Sequence, residues 1–123
     1  SVFLPAFSIG FLSAGVLNLN NMRDVLSDTR AHKKTLVVKI GLQFAKLYHL
    51  YLLLSAFLFA LIYNALHFHS WYQFIFLIVL FPIYLHGKFV WFNKQPRELD
   101  QELKKLALST FAFAFLFGLG QIL

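Results

Sequence analysis

Lys, Arg, Asp and Glu occur in only two stretches of this chain, 23–46 and 88–105, and the uncharged runs around them set its elements. Residues 1–22 carry no charge, and about 20 apolar residues are enough for a helix to cross a bilayer. They predict a first span over 1–22. Pro5 lies at its start, where a missing N–H costs little, and Gly10 and Gly15 suit close helix packing. Between Leu47 and Gly87 lie 41 uncharged residues, too many for one span. They predict two, over 42–66 and 71–92, joined by a tight turn at His67, Phe68, His69 and Ser70. Tyr63, Trp71 and Tyr72 flank that turn with the interfacial character of a membrane surface. Pro82 should kink the third span, and Lys88 near its end can snorkel. Asn93–Lys105 is a polar connection around Pro96 whose second half opens the last helix, a fourth span over 103–123. Thr35–Ile40 reads as a brief extended or interfacial segment, with Gly41 marking the start of the second span.

The pattern predicts an all-α fold, a polytopic membrane bundle with four transmembrane helices in one domain over 1–123 and polar loops over 23–41 and 93–102. Composition agrees. With 59% hydrophobic and 13% charged residues, sixteen Phe and a mean hydropathy of +0.68, the chain is too apolar to cover itself as a soluble domain. The lack of Cys excludes nothing, because a membrane core needs no disulfide framework. The chain opens without Met, directly in an apolar run with no basic segment before it. It therefore reads as a piece of a longer protein rather than a signal peptide.

A net charge of +6 raises the question of nucleic acid, and the placement of the bases answers it. Six (Arg23, Arg30, Lys33, Lys34, Lys39, Lys46) lie in one polar stretch and five (Lys88, Lys94, Arg97, Lys104, Lys105) in the other. Bases confined to alternate loops follow the positive-inside bias, which puts both loops in the cytoplasm and both termini outside, with no nucleic-acid partner.

The candidate chemistry sits where the first span ends. If its helix continues, Asn20, Asp24 and Asp28 share one face at i, i+4, i+8. Two carboxylates near a helix C-terminus repel each other and the macrodipole, beside a low-dielectric membrane, unless cations offset them. Hard oxygen ligands with no Cys or His in register suit Mg²⁺, which takes one or two carboxylates and completes its shell with water and substrate phosphate. Asp24 and Asp28 are thus candidate metal ligands. Arg23, Lys33 and Lys34 are candidates for the phosphate oxygens the metal leaves free. On spacing alone, a solvated loop in which Asp24 and Asp28 merely pair with Arg23 and Arg30 fits equally well.

The run Leu17-Asn18-Leu19-Asn20-Asn21-Met22-Arg23-Asp24 through Asp28, then Lys33-Lys34-Thr35-Leu36-Val37-Val38-Lys39-Ile40-Gly41, resembles the second aspartate-rich motif of the UbiA-type intramembrane prenyltransferases. More narrowly, it is similar to the 1,4-dihydroxy-2-naphthoate polyprenyltransferases of menaquinone biosynthesis, with a pattern close to N-N-x-R-D-x-x-x-D-x-x-x-G-K-x-T-L-x-V-x-x-G. The branch acting on 4-hydroxybenzoate has Tyr-Asp and Tyr-Ala pairs where this chain has Val16-Leu17 and Asn20-Asn21. His32 departs from the pattern's Gly, and His accepts positive φ less readily. The family's first aspartate-rich motif has no counterpart in this chain.

The resemblance implies a bundle of nine spanning helices, of which these four are the last. It implies Mg-dependent ionisation of a polyprenyl diphosphate, alkylation of an aromatic acid and loss of CO₂, in the inner membrane of a bacterium. Asp24 and Asp28 would be catalytic through the metal. Arg23, Lys33 and Lys34, with Asn20 and Asn21, would hold diphosphate. The missing N-terminal half would supply the remaining carboxylates. The Phe-rich last two spans can face either a prenyl tunnel or membrane lipid.

His67 and His69 lack a neighbouring carboxylate, which disfavours a metal site in their loop. His49 and His86 lie within helices, where packing is the commoner use, though either can face a pocket. A transporter or channel fragment is the rival from another class, but it wants ionisable groups at the bilayer midplane rather than at the edge. A pure assembly subunit, with an incidental motif, is the other.

Overall fold

The computed structural model describes residues 2–123, and these form helices joined by short turns, with no strand among them. Helix α1 spans Phe3–Arg23, α2 Val25–Arg30, α3 Leu36–Leu66, α4 Leu80–Phe92 and α5 Asp100–Ile122. Tighter 3₁₀ segments, Trp71–Val79 and Pro96–Leu99, lead into α4 and α5. Four stretches are long and apolar enough to cross a membrane: Phe3–Arg23, Leu36–Leu66, Trp71–Phe92 and Pro96–Ile122.

The helix of the first span does not run straight through the acidic motif. It bends at Asp24 (φ −96°, ψ 11°), although Asp24 N–H still donates to the Asn20 carbonyl (3.1 Å) and Asp28 N–H to that of Asp24 (2.8 Å). The short α2 then closes in a Schellman turn. Lys33 N–H donates to the Asp28 carbonyl (2.8 Å) and His32 N–H to that of Thr29 (3.2 Å). This turn needs a left-handed residue just past the helix, and His32 supplies it with φ 59°. The Gly of the family pattern thus has a physical reason here, and His32 carries the strain that Gly avoids.

The next segment corrects the extended reading of 35–40. Thr35 caps a helical turn, its hydroxyl accepting from Val38 N–H (3.2 Å), and the turn runs from Leu36 to Gly41. At Gly41 the backbone swings to φ 85°, ψ 160°, which only Gly adopts easily, and the second span follows. In the third span the effect of Pro82 is a change of winding. The 3₁₀ segment gives way to α4 at Leu80, so the missing N–H of Pro82 falls in the first turn of the α-helix. The far end of α4 is closed from another helix: Lys46 of α3 donates its ammonium to the carbonyls of Trp91 (3.3 Å) and Asn93 (2.5 Å).

The first and second spans pack antiparallel, and α5 lies against both α1 and the 3₁₀ segment of the third span. Leu12, Leu19 and Met22 of α1 are fully buried there. An aromatic cluster joins three spans, with Phe113 edge-on to Phe57 (5.2 Å between centroids) and to Phe76 (5.4 Å). Large apolar side chains such as Phe7, Leu54, Phe81 and Phe111 stay exposed, which suits a surface facing lipid.

Polar groups lock the end opposite Arg23. Asn64 donates to the Gln73 carbonyl (2.7 Å), Gln121 to Asn64 (2.8 Å), and Gln73 to both the His67 carbonyl (3.1 Å) and Gln121 (3.3 Å). Interhelical hydrogen bonds of this kind replace the hydrophobic drive that lipid cannot supply.

Candidate functional site

The end of the bundle holding Arg23 carries the charged cap. Arg23 is its organiser because it sits where α1 stops and can reach both α2 and α5. Its guanidinium donates through Nε to Asp24 (2.8 Å), through one terminal nitrogen to Asp24 (3.0 Å) and Asn20 (2.7 Å), and through the other to Asp100 (2.7 Å). Four of its five N–H donors are thereby used, leaving one. The hydrogen bond from Arg23 holds the Asp24 carboxyl below the usual carboxylate range, with the charge of Lys33 adding to it.

Asp28 stands one turn on. Among the described residues its carboxylate makes no hydrogen bond or ion pair, and neither do the side chains of Arg30, Lys33 and Lys34, which are all exposed. Asn21 is half-buried and its side chain is similarly uncommitted. Half of the solvated-loop alternative is therefore realised, since Asp24 pairs with Arg23, and half is not, since Asp28 leaves Arg30 alone. A cavity of about 380 Å³ opens beside Arg23 and Asp24, lined also by Ser27, Arg30, Arg97 and Asp100 and by the apolar Leu26 and Pro96. Arg97 comes from the 3₁₀ segment before α5 and Asp100 is the first residue of α5, and neither had an assigned site role in the sequence. Their shared placement with Arg23 in the charged loops was the only signal.

The donors fit a hard divalent cation in kind, being carboxylate oxygens one helical turn apart. They make only part of a site. Among the described residues no group of three or more His, Cys, Asp or Glu is gathered where a metal ion could be held.

Deeper in the bundle lies a second polar system that the sequence had left among packing residues. His49 Nε2 and His86 Nε2 are 2.8 Å apart, and His86 Nδ1 lies 2.9 Å from a Glu102 oxygen. Lys105 meets the other Glu102 oxygen at 3.1 Å. At the opposite end, Asn18 donates its amide to the Ala45 carbonyl (3.1 Å) and approaches His49 Nδ1 (3.4 Å). Separations of 31, 37 and 16 residues hide these pairs from any local pattern.

Four membrane-crossing helices with a carboxylate, guanidinium and lysine cap at one end define an integral membrane protein with a polar site at the rim of an apolar bundle. Within that class, the chain belongs to the UbiA prenyltransferase family, whose sequence profile matches residues 1–119. It is 34% identical over 122 residues to the 1,4-dihydroxy-2-naphthoate octaprenyltransferase of Haemophilus influenzae, covering 99% of this chain and 40% of that protein. The Escherichia coli protein of the same name is 31% identical over 120 residues, covering 98% of this chain and 39% of that protein. A third, from Mycobacterium leprae, is 53% identical over 36 residues, 29% of this chain and 12% of that protein. The chain thus spans about 40% of the length of the first two relatives. No solved structure gives a significant match.

Proposed function

We propose that this chain is the C-terminal part of an intramembrane prenyltransferase that joins a polyprenyl group from polyprenyl diphosphate to 1,4-dihydroxy-2-naphthoate, with loss of CO₂, in menaquinone biosynthesis. The observation that carries the reading is the cap: Asp28 uncommitted, Asp24 held ionised one turn before it, and Lys33 and Lys34 unpaired alongside. The relatives named as octaprenyltransferases support it.

Asp24 and Asp28 would hold Mg²⁺, together with carboxylates from the N-terminal half. When bound, the metal supplies Lewis-acid stabilisation of the leaving diphosphate. Lys33 and Lys34 bind phosphate oxygens as point charges on flexible stems. Arg23 acts chiefly by orienting and ionising Asp24, with its one remaining N–H turned to phosphate, while Asn20 fixes Arg23 and Asn21 adds a neutral donor. The apolar bundle below the cap excludes water from the allylic cation. The clustering of bases at this end supports a cytoplasmic cap in a bacterial inner membrane.

The test is prenyl transfer by the full-length protein, given prenyl diphosphate, Mg²⁺ and either the naphthoate or 4-hydroxybenzoate. Product should form with the naphthoate, and Asp24→Asn or Asp28→Asn should abolish it. If both variants keep full activity, the metal assignment is wrong.

A further inference from the structure

An apolar groove of about 380 Å³ runs between α3 and α4. Its floor is made by the buried Leu53, Phe57, Ile83 and Gly87, and its rims by Leu54, Leu80 and Tyr84, which are exposed. The two helices meet at Gly87, where a Cβ would lie 3.4 Å from Leu50 Cδ2 and 3.7 Å from Leu53 Cδ1. No Asp or Glu lines the groove, and the one charged residue that does is Lys88, at its end.

At Lys88 and Phe92 the groove adjoins a second cavity of about 680 Å³, walled by Asn93, Lys94, Gln95 and Glu98. The two form one path, apolar within the span and polar where the span stops. Trp91 stands at the seam, where an amphipathic ring marks the headgroup boundary of a membrane.

The polar part of the path is rich in uncommitted donors. Among the described residues the ammonium groups of Lys88 and Lys94, the Gln95 amide and the Trp91 indole N–H make no hydrogen bond or ion pair. Glu98 is the one acid there, and it accepts from Asn93 Nδ2 (3.2 Å). Two lysines against one carboxylate leave the cavity with a charge of +1, by simple difference. A lysine that merely snorkels reaches open water. Lys88 instead reaches the seam between an apolar groove and a polar cavity.

We propose that the groove and the cavity together hold one anionic phospholipid, with an acyl chain along Leu54, Phe57 and Ile83 and its phosphodiester on Lys88 and Lys94. Charge selects this occupant. A phosphodiester brings one negative charge to a cavity of +1, and its free oxygens accept from both lysines. A choline headgroup would set its own cation against them. Basic pockets between spanning helices are a known seat for anionic headgroups. A prenyl diphosphate is the poorer match, because no carboxylate pair for a metal lines this cavity. The groove also lies on α3 and α4, whereas Asp24 and Asp28 belong to the junction of α1 and α2. A lipid that bridges α3 and α4 binds the folded bundle alone, and so stabilises it by mass action.

The test uses the full-length protein in nanodiscs of equal parts phosphatidylglycerol and phosphatidylcholine, with one or the other carrying a diazirine on its acyl chain. The phosphatidylglycerol probe should label the Leu54 and Ile83 regions at least about fivefold more than the phosphatidylcholine probe. A lysine near the membrane surface strengthens anionic-lipid binding roughly fivefold. Lys88→Gln should therefore cut the preference about fivefold, and Lys88→Gln with Lys94→Gln should bring the two probes level. Phosphatidylglycerol should also raise the melting temperature of the wild type but not of the double variant. Lys104→Gln, at an exposed lysine outside both cavities, should leave the preference unchanged. Equal labelling of the wild type by both probes, a preference that survives loss of both cavity lysines, or an equal loss from Lys104→Gln overturns the proposal. So does benzoylphenylalanine placed at Leu54 if it crosslinks to the N-terminal part of the same chain or to a second copy. Loss of label on adding prenyl diphosphate gives the groove to the substrate and overturns it as well. None of these readouts is prenyl transfer, so failure of the enzyme reading leaves them intact.

Discussion

Of the glycines, Gly120, at the end of the bundle away from the cap, makes the closest approach to a neighbouring segment. A Cβ built there would stand 2.6 Å from the Tyr72 carbonyl oxygen and 2.9 Å from Gln73 Cα. Even favourable C–H···O contacts keep carbon and oxygen about 3.3 Å apart, so Gly120→Ala must push α5 off the 3₁₀ segment by roughly 0.7 Å. Backbone lines the contact, and no side chain can rotate away. The displacement reaches the neighbouring lock, where the 3.3 Å Gln73–Gln121 hydrogen bond has no slack and is lost first. Overpacking costs about 1–3 kcal/mol and the lost bond about 1 more, for a total of about 2–4 kcal/mol. Gly118 is the internal control: a Cβ there meets nothing within 4 Å, and Ala is the better helix former by about 0.5–1 kcal/mol. Reversible unfolding in mixed detergent micelles should find Gly120→Ala destabilised and Gly118→Ala at or above wild type. Equal stability of Gly120→Ala and wild type, or equal damage from both changes, would refute the close approach of α5 to Gln73.

His32→Gly should stabilise the Schellman turn by about 1 kcal/mol, by relieving a left-handed non-glycine residue, with prenyl transfer retained; a melting curve checks it. Gly41→Ala should cost about 1–3 kcal/mol in the same measurement, because φ 85°, ψ 160° is closed to Ala although space is open around it. Lys46→Met should lose about 1–2 kcal/mol by uncapping α4, with the loss seen as faster amide exchange at its last turn. Arg23→Gln should raise the Asp24 carboxyl toward its ordinary value of about 3.9 and weaken Mg²⁺ activation of the full-length enzyme. Because the pairing depresses the Asp24 pKa, its contribution to stability is complete above that ordinary value and disappears as pH falls through the lower folded one. The stability gap between wild type and Arg23→Gln should therefore be constant at neutral pH and narrow in acid, as read from unfolding midpoints across pH.

The sequence alone determined the four spans, their alternation and the charged end. Each is a local property: inside a bilayer, every backbone group must be satisfied within its own helix, so charge-free length suffices to define a span. The acid–base run Asn20–Lys34 was legible as a charged motif for the same reason, since its residues lie close together on a single segment. The bend at Asp24, the helical turn before Gly41 and the winding change ahead of Pro82 depended on competition among backbone conformations that propensity resolves poorly.

Only the tertiary structure decided which helix faces meet. Helices α4 and α5 are apolar on nearly all sides, so hydrophobic periodicity does not say how either is rotated about its axis. That rotation places His86 between His49 and Glu102, brings Asp100 to Arg23, and seats Gly120 on Gln73. It is set by close packing of small residues and by buried hydrogen bonds between segments far apart in the chain. The motif that resembles the family's could be read along one continuous stretch of chain, whereas the buried polar system beneath it exists only once four spans are assembled.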